Sequence, residues 1–253
     1  GLGDVYKRQC LYGTPLHGWD TGRIDERAGL SFGQGRDGYL RAKSSCSKGW
    51  AMEYALSNDS ISIKVSTAGG SFTSIEAGGR EYLWQGDPAV WSGQAPICFP
   101  ICGGLRDNSA MTFAGHHVKL ARHGFARKQE WKLLSQSENE LAMCLASEDN
   151  AALLSDYPYP FKLVARYTLE GDAVRVSYEV TNEGTEDMPF FVGGHPGFKC
   201  PLDEGESYDD YELRFEQREA AELCTAVPST GLIDVEHRSK NPMVGHDLPL
   251  THE

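Results

Sequence analysis

Two histidines in this sequence sit where the backbone is most constrained. His195 lies between Gly194 and Pro196 in "FVGGHPGFKCPL", and His123 precedes Gly124 in "LARHGFARKQEW". An imidazole exchanges a proton near neutral pH, so two of them in glycine-rich corners can build an acid–base site. The same corners also suit two structural histidines, buried and hydrogen-bonded in turns. A third segment, "PICFPICGGLRDN", ends an apolar run in Gly103-Gly104 and Arg106. Glycines let a backbone approach a ligand closely, and a guanidinium can offer it a planar fork of donors. An arginine in that place equally serves a surface salt bridge. Arg122 and Arg127 flank His123, and His116-His117 reads as a solvent-facing turn pair. No Ser or Cys stands in a nucleophile elbow. Without an H-x-x-x-H pair or a Cys/His quartet, the sequence predicts no metal centre, and it implies no cofactor.

The elements that must position these residues read as β-structure from Met52 onward. In "SISIKVST", Ile61, Ile63 and Val65 alternate with Ser62, Lys64 and Ser66, the period of a half-buried strand. "SFTSIEAGGREYLW" predicts a hairpin in which Gly78-Gly79 supply positive φ. "FKLVARYTLEGDAVRVSYEVTNEG" is the clearest hairpin. Leu163, Ala165, Tyr167 and Leu169 share one face, and Val174, Val176, Tyr178 and Val180 share a face beyond the Glu170-Gly171-Asp172 turn. "ELAMCLAS" and "YELRFEQ" read as strands, "NAALLSDYP" as at most a short helix before Pro158, and "DEGESYDDYE" as a solvated loop. Many strands with little helix predict a sandwich or barrel.

Composition narrows the partners. The net charge of −12 argues against nucleic acid and against an anionic membrane surface. No apolar run approaches the roughly 20 residues that span a bilayer, and the sequence reads as a cytoplasmic protein. Seven cysteines in no C-x-x-C spacing, with Cys98, Cys102, Cys144 and Cys200 among apolar residues, read as small buried thiols.

Residues 1–51 differ from the rest. They carry eight basic and five acidic residues, leaving 16 of the 24 basic and 31 of the 36 acidic residues to the remainder. A shift from +3 to −15 marks a boundary. "DVYKRQ", Asp4 to Gln9, also looks like a translated sequencing adapter. The expectation is a non-domain, mostly disordered segment over 1–51 and a domain over 52–253, with Met52 as a start.

In their order, "GGREYLWQGDPAVWSGQAPICFPICGGLRDN", "RHGFARKQEW" and "VGGHPGFKCPL…YDDYELRFE" resemble the aldose 1-epimerase (galactose mutarotase-like) family, in its LacX-type branch. The resemblance runs from about Met52 to the end. It implies an all-β fold, a large antiparallel β-sandwich of the galactose mutarotase type. It implies an isomerase that interconverts the α and β anomers of an aldohexose such as galactose or glucose by acid–base ring opening. Carried onto this sequence, His195 matches the general acid, His123 the second histidine near the sugar ring oxygen, and Arg106 the arginine that binds sugar hydroxyls. The family's general base is a glutamate in a segment that follows the point where this sequence reads "LPLTHE", and Glu253 does not match it. The resemblance thus implies a fragment without the base and the closing strands, with little activity and with exposed strand edges. Two alternatives stay open. Arg122 and Arg127 beside His123 could hold the phosphate of a hexose 6-phosphate, and a protein of this fold could bind sugar without catalysis.

Overall fold

The computed structural model describes residues 22–26, 51–218, 221–227, 229–230 and 232–251. By their contacts these fall into two compact units, one through Gly197 and one from Phe198 onward. Of the stretch expected to stand outside the domain, Gly22–Glu26 is described as strand β1, and most of the rest lies outside the described residues.

The first unit is nearly all antiparallel β. After β1 come β2 (Glu53–Ser57), β3 (Ile61–Ser66), β4 (Phe72–Ala77) and β5 (Arg80–Glu81), a meander in that order. Gly78 and Gly79 turn β4 into β5 at φ 59° and 77°, as the sequence predicts. Next are β6 (Ile97–Cys98), the hairpin β7 (Ser109–Met111) and β8 (His117–Lys119), then β9 (Lys132–Gln136) and β10 (Glu140–Ala146). A four-residue helix, α1 (Leu153–Asp156), precedes β11 (Phe161–Glu170), β12 (Ala173–Asn182) and the short β13 (Gly193–Gly194). The large sheet runs β1-β12-β11-β10-β9. No helix among the described residues is long and apolar enough to cross a membrane.

The alternation read from the sequence is what lets the sheets bury one face. Ile61, Ile63 and Val65 of β3 and Leu163, Ala165, Tyr167 and Leu169 of β11 are all buried. Each large side chain so removed from water contributes about 1.5–3 kcal/mol. Phe72 of β4 meets Tyr167 of β11 edge-on at 4.6 Å, so the meander and the large sheet share one core. The Tyr167 hydroxyl donates to Gly70 O at 2.5 Å, while a Cβ on Gly70 would lie 2.4 Å from the buried Trp131 indole. Gly70 is thus fixed between two aromatic rings. A second aromatic cluster joins Phe99, Phe125, Tyr157 and Phe161.

Residues 97–99 form the thread that places the histidines. On one side β6 pairs with β13, Cys98 opposite Gly193 and Ile97 opposite Gly194. On the other side Phe99 bridges Gly124 in parallel. The Phe99 carbonyl accepts from Phe125 N at 3.0 Å and Ala126 N at 3.2 Å, and Phe99 N donates to His123 O at 3.3 Å. Two hydrogen bonds converging on one carbonyl demand close approach of the backbones. A Cβ on Gly124, which sits at φ 68°, would stand 2.1 Å from Phe99 O.

The second unit is described by itself. Strands β14 (Glu212–Arg214) and β17 (Asp247–Pro249) pair antiparallel, as do β15 (Leu223–Val227) and β16 (Leu232–Ser239). The acidic stretch read as a solvated loop holds a 3-10 turn, Tyr208–Asp210, closed by a Ser207–Asp210 capping box. "YELRFEQ" forms the predicted strand over only three residues, zipped by Arg214 to Asp247 and Glu212.

The Gly124 contact yields the first prediction. Gly124→Ala should cost about 3 kcal/mol or more in urea unfolding, because backbone, not a flexible side chain, opposes the new methyl. Gly171→Ala, in open space at φ 63°, should cost only about 1 kcal/mol. Equal costs for the two would refute the tight 99–124 approach.

Candidate active site

His123 stands in the left-handed region at φ 65°, and Asp107 and Asn108 adopt φ 55° and 54°. Among the described residues these are the non-glycine residues at positive φ, a conformation that costs energy and is held only where surroundings impose it. Leu120 N donates to Asn108 O at 2.8 Å, so the strained turn is bolted to the segment that carries His123.

Two reciprocal bonds orient the His123 ring. Its backbone N–H donates to Gly103 O at 2.7 Å, and Gly103 N–H donates to His123 Nδ1 at 3.0 Å. A backbone amide can only donate, so Nδ1 carries a lone pair and the proton of the neutral ring resides on Nε2. Burial, then the charges of His195, Arg127 and Arg122, push the His123 pKa down from 6.5 to about 4.

His195 is placed by the β6–β13 pair. Its N–H donates to Pro96 O at 3.0 Å, Gly197 N to Gln94 O at 2.7 Å, and Trp84 N to Gly197 O at 2.8 Å. The glycines are needed here: a Cβ on Gly194 would lie 2.9 Å from the Tyr178 hydroxyl, and one on Gly197 2.7 Å from Trp91. The His195 ring lies 5.3 Å from that of His123 at an interplanar angle of 34°, and 5.6 Å from Trp91, edge to face. Its Nδ1 is buried with no hydrogen-bond partner. Burial first, then Arg127, lowers its pKa below the usual 6.5.

The structure therefore brings His123 and His195 into one ring pair, by corners on either side of the 97–99 thread. Arg106 is placed on the adjoining Arg106–Asn108 turn, exposed, and makes no ion pair or hydrogen bond with either histidine. The expected His116-His117 turn pair is corrected. His117 opens β8 with Nε2 2.7 Å from Ser109 Oγ, whereas His116 is half-buried, 2.5 Å from Glu186 Oε2 and edge-on to Tyr159. Of the cysteines read as buried, Cys98 and Cys144 are so, while Cys102 and Cys200 are half-buried; all are free thiols. Sequence reasoning missed Trp91 beside His195. The signals were the paired glycines Gly93 and Gly197 that admit Trp91.

The family profile described as Aldose 1-epimerase matches residues 52–248. Protein LacX of Lactococcus lactis subsp. lactis is 43% identical over 197 residues, covering 74% of this chain and 64% of that protein. An uncharacterized protein, YphB, of Escherichia coli K12 is 30% identical over 192 residues, covering 69% of this chain and 62% of its own length. Among solved structures, a galactose mutarotase related enzyme from Lactobacillus acidophilus superposes with a TM-score of 0.71 at 28% identity, covering 79% of this chain and 65% of that one. A galactose mutarotase-like protein from Lactobacillus casei gives 0.69 at 27% identity, covering 79% and 68%. The chain belongs to the aldose 1-epimerase family, and its fold is all-β, of the galactose mutarotase-like β-sandwich type. It spans 64% of the length of LacX.

The His123 environment sets a pH dependence of stability. The unfolded chain protonates this ring near 6.5 and the folded one only near 4, so between those values the unfolded state binds more protons. Stability is full above pH 6.5 and declines as pH falls toward 4. Urea midpoints measured from pH 7 to 4.5 should fall, and His123→Gln, whose amide oxygen can still accept from Gly103, should lessen the fall. An undiminished decline in the variant would assign it to other groups.

Proposed function

We propose that the whole protein interconverts the α and β anomers of a free aldohexose, galactose being the sugar suggested by the mutarotase-related structure from Lactobacillus acidophilus. The single observation that carries the reading is the His123–His195 pair, its rings 5.3 Å apart, in a chain of the aldose 1-epimerase family. His195 is the general acid, His123 a neutral donor to the sugar, and Arg106 a ligand of its hydroxyls.

In the forward step a carboxylate base takes the C1 hydroxyl proton. The C1–O1 bond gains double character, the C1–O5 bond breaks, and O5 receives a proton from His195. Rotation about C1–C2 presents the other face of the aldehyde. Then O5 attacks C1 and returns its proton to His195, while O1 takes the proton back from the base. His195 suits the cycling role because its Nδ1 is uncommitted, so the ring can carry a second proton. His123 cannot do so cheaply, since a proton on Nδ1 would face the Gly103 N–H. It is instead held to offer Nε2–H, a preorganised donor that needs no reorganisation as charge develops on O5.

A second reading rests on the two arginines that flank His123. Arg127 Nη2 donates to Arg122 O at 2.9 Å, which brings Arg127 back to the residue before His123, and a phosphate at C6 of the sugar would meet the charge of both.

In the full-length protein, His195→Ala should lower the polarimetric rate on α-galactose about 10²–10⁴-fold. His123→Gln should raise KM and lower kcat by a smaller factor. A wild-type rate on His195→Ala would exclude it as the acid. Faster exchange of glucose 6-phosphate than of galactose or glucose would favour the second reading.

A further inference from the structure

We propose that Trp91 is the positioning residue of His195: its indole, seated against the imidazole, fixes the orientation in which that ring stands toward the sugar. The consequence for turnover rests on the anomer exchange proposed above; the seating of the ring does not.

His195 needs such a partner. Its backbone is fixed by the N–H that donates to Pro96 O at 3.0 Å, and Pro196 restricts it to extended conformations. The side chain keeps a freedom that the backbone does not remove. The torsion that turns an imidazole about Cβ–Cγ is broad and roughly two-fold, so a half-turn exchanges the places of the two nitrogens. Histidines that do acid–base work are usually held against that half-turn by a hydrogen bond to the second nitrogen. Here Nδ1 is buried without one. What the ring does meet is aromatic: Trp91 at 5.6 Å and 65°, and His123 at 5.3 Å and 34°.

Trp91 and His195 share one frame. Trp84 N donates to Gly197 O at 2.8 Å and Gly197 N to Gln94 O at 2.7 Å, so both ends of the 84–94 segment are tied to the residue two beyond His195. Within that segment Trp91 N donates to Asp87 O at 2.8 Å, and the Trp91 carbonyl accepts from the Trp84 indole Nε1–H at 2.7 Å. Val90 and Ser92 are exposed, whereas Trp91 between them is half-buried. Its indole fills room that two glycines leave. A Cβ on Gly93 would lie 2.4 Å from its Cζ2, and one on Gly197 2.7 Å from its Cζ3. The other neighbour, His123, is fixed through Gly103. The His195 imidazole can therefore turn about Cβ–Cγ only against two rings that are themselves held.

Truncating Trp91 removes one of those two rings and frees the half-turn. The acid would then spend part of its time with the wrong nitrogen toward the sugar oxygen. Such a loss falls on kcat more than on KM, because His123 and Arg106 would still meet the sugar.

The test is NMR and anomer-exchange kinetics on the full-length wild type, Trp91→Ala and Trp91→Phe. In the wild type, nuclear Overhauser contacts should join the His195 ring C–H groups to the Trp91 indole and to the His123 ring. In Trp91→Ala the contacts between the two imidazoles should fade, and kcat should fall about 10–10²-fold with KM within about threefold. Trp91→Phe, which keeps an aromatic ring there, should restore both the contacts and most of kcat. Undiminished contacts between the imidazoles in folded Trp91→Ala overturn the proposal, as does a Trp91→Phe no better than Trp91→Ala. Gly171→Ala, loosened at a distant turn, should keep the wild-type kcat; a matching fall there would assign the loss to general destabilisation and overturn the positioning role. Should Trp91→Ala not fold, Trp91→Leu takes its place with the same expected losses, and the wild type alone overturns the proposal if no contact joins His195 to the indole. Contacts that respond as expected in a protein that never accelerates anomer exchange would sink the proposed reaction and leave the seating of His195 on Trp91 standing.

Discussion

The constraint on which the site depends is the close approach of Gly124 to the backbone of Phe99. One carbonyl accepts two amides, and the amide of the same residue is given to His123. No side chain fits between the strands at that point. The opposite edge of the same thread pairs with Gly193 and Gly194. Two corners distant in sequence are thereby fixed to three consecutive residues. Their rings meet because the backbones cannot separate or slide, since a one-residue slip in either pairing would turn a histidine to the opposite face.

That constraint also explains where strain is spent. His123, Asp107 and Asn108 accept positive φ, and the surroundings hold them there through Gly103 and Leu120. Histidine, asparagine and aspartate tolerate this region better than branched residues do. The strained positions cluster beside the ring pair, the usual place for backbone energy to be stored in a preorganised site.

Much of this was legible in the sequence, and the reasons are local. Period-2 alternation in "SISIKVST" and "FKLVARYTLEGDAVRVSYEVTNEG" found β3, β11 and β12, because each strand buries one face. Glycine beside histidine marked both corners, because the turn chemistry acts over two or three residues. What escaped depends on residues distant in sequence. Arg127 was read beside His123 as an alternative phosphate ligand, but the contact of its Nη2 with Arg122 O, set by the tie of Ala126 to Phe99 O, was not legible. Trp91 reaches His195 only because Gly93 and Gly197 both leave it space. The β15–β16 hairpin was missed since its strands, mostly exposed, lack a buried face to impose a period. Arg106 was singled out for its fork of donors, yet what the fold fixes there is the turn it begins, and its side chain stays exposed.

The two histidines look alike in sequence and are made unlike by one backbone amide. Gly103 N–H occupies Nδ1 of His123, and nothing occupies Nδ1 of His195. A ring whose second nitrogen faces a donor is fixed in one protonation state. A ring whose second nitrogen is unclaimed can pass between two. The proposed ring opening would use, beside its base, one group of each kind: a donor that stays put while charge develops, and an acid that gives a proton and takes it back. If both rings were tied like His123, the pair could bind a sugar oxygen but not protonate it. If neither were tied, the two would compete for a proton at 5.3 Å, each lowering the other's affinity. On the proposed reading that difference would make one ring the acid and the other the donor, and it originates in Gly103, four residues beyond Phe99.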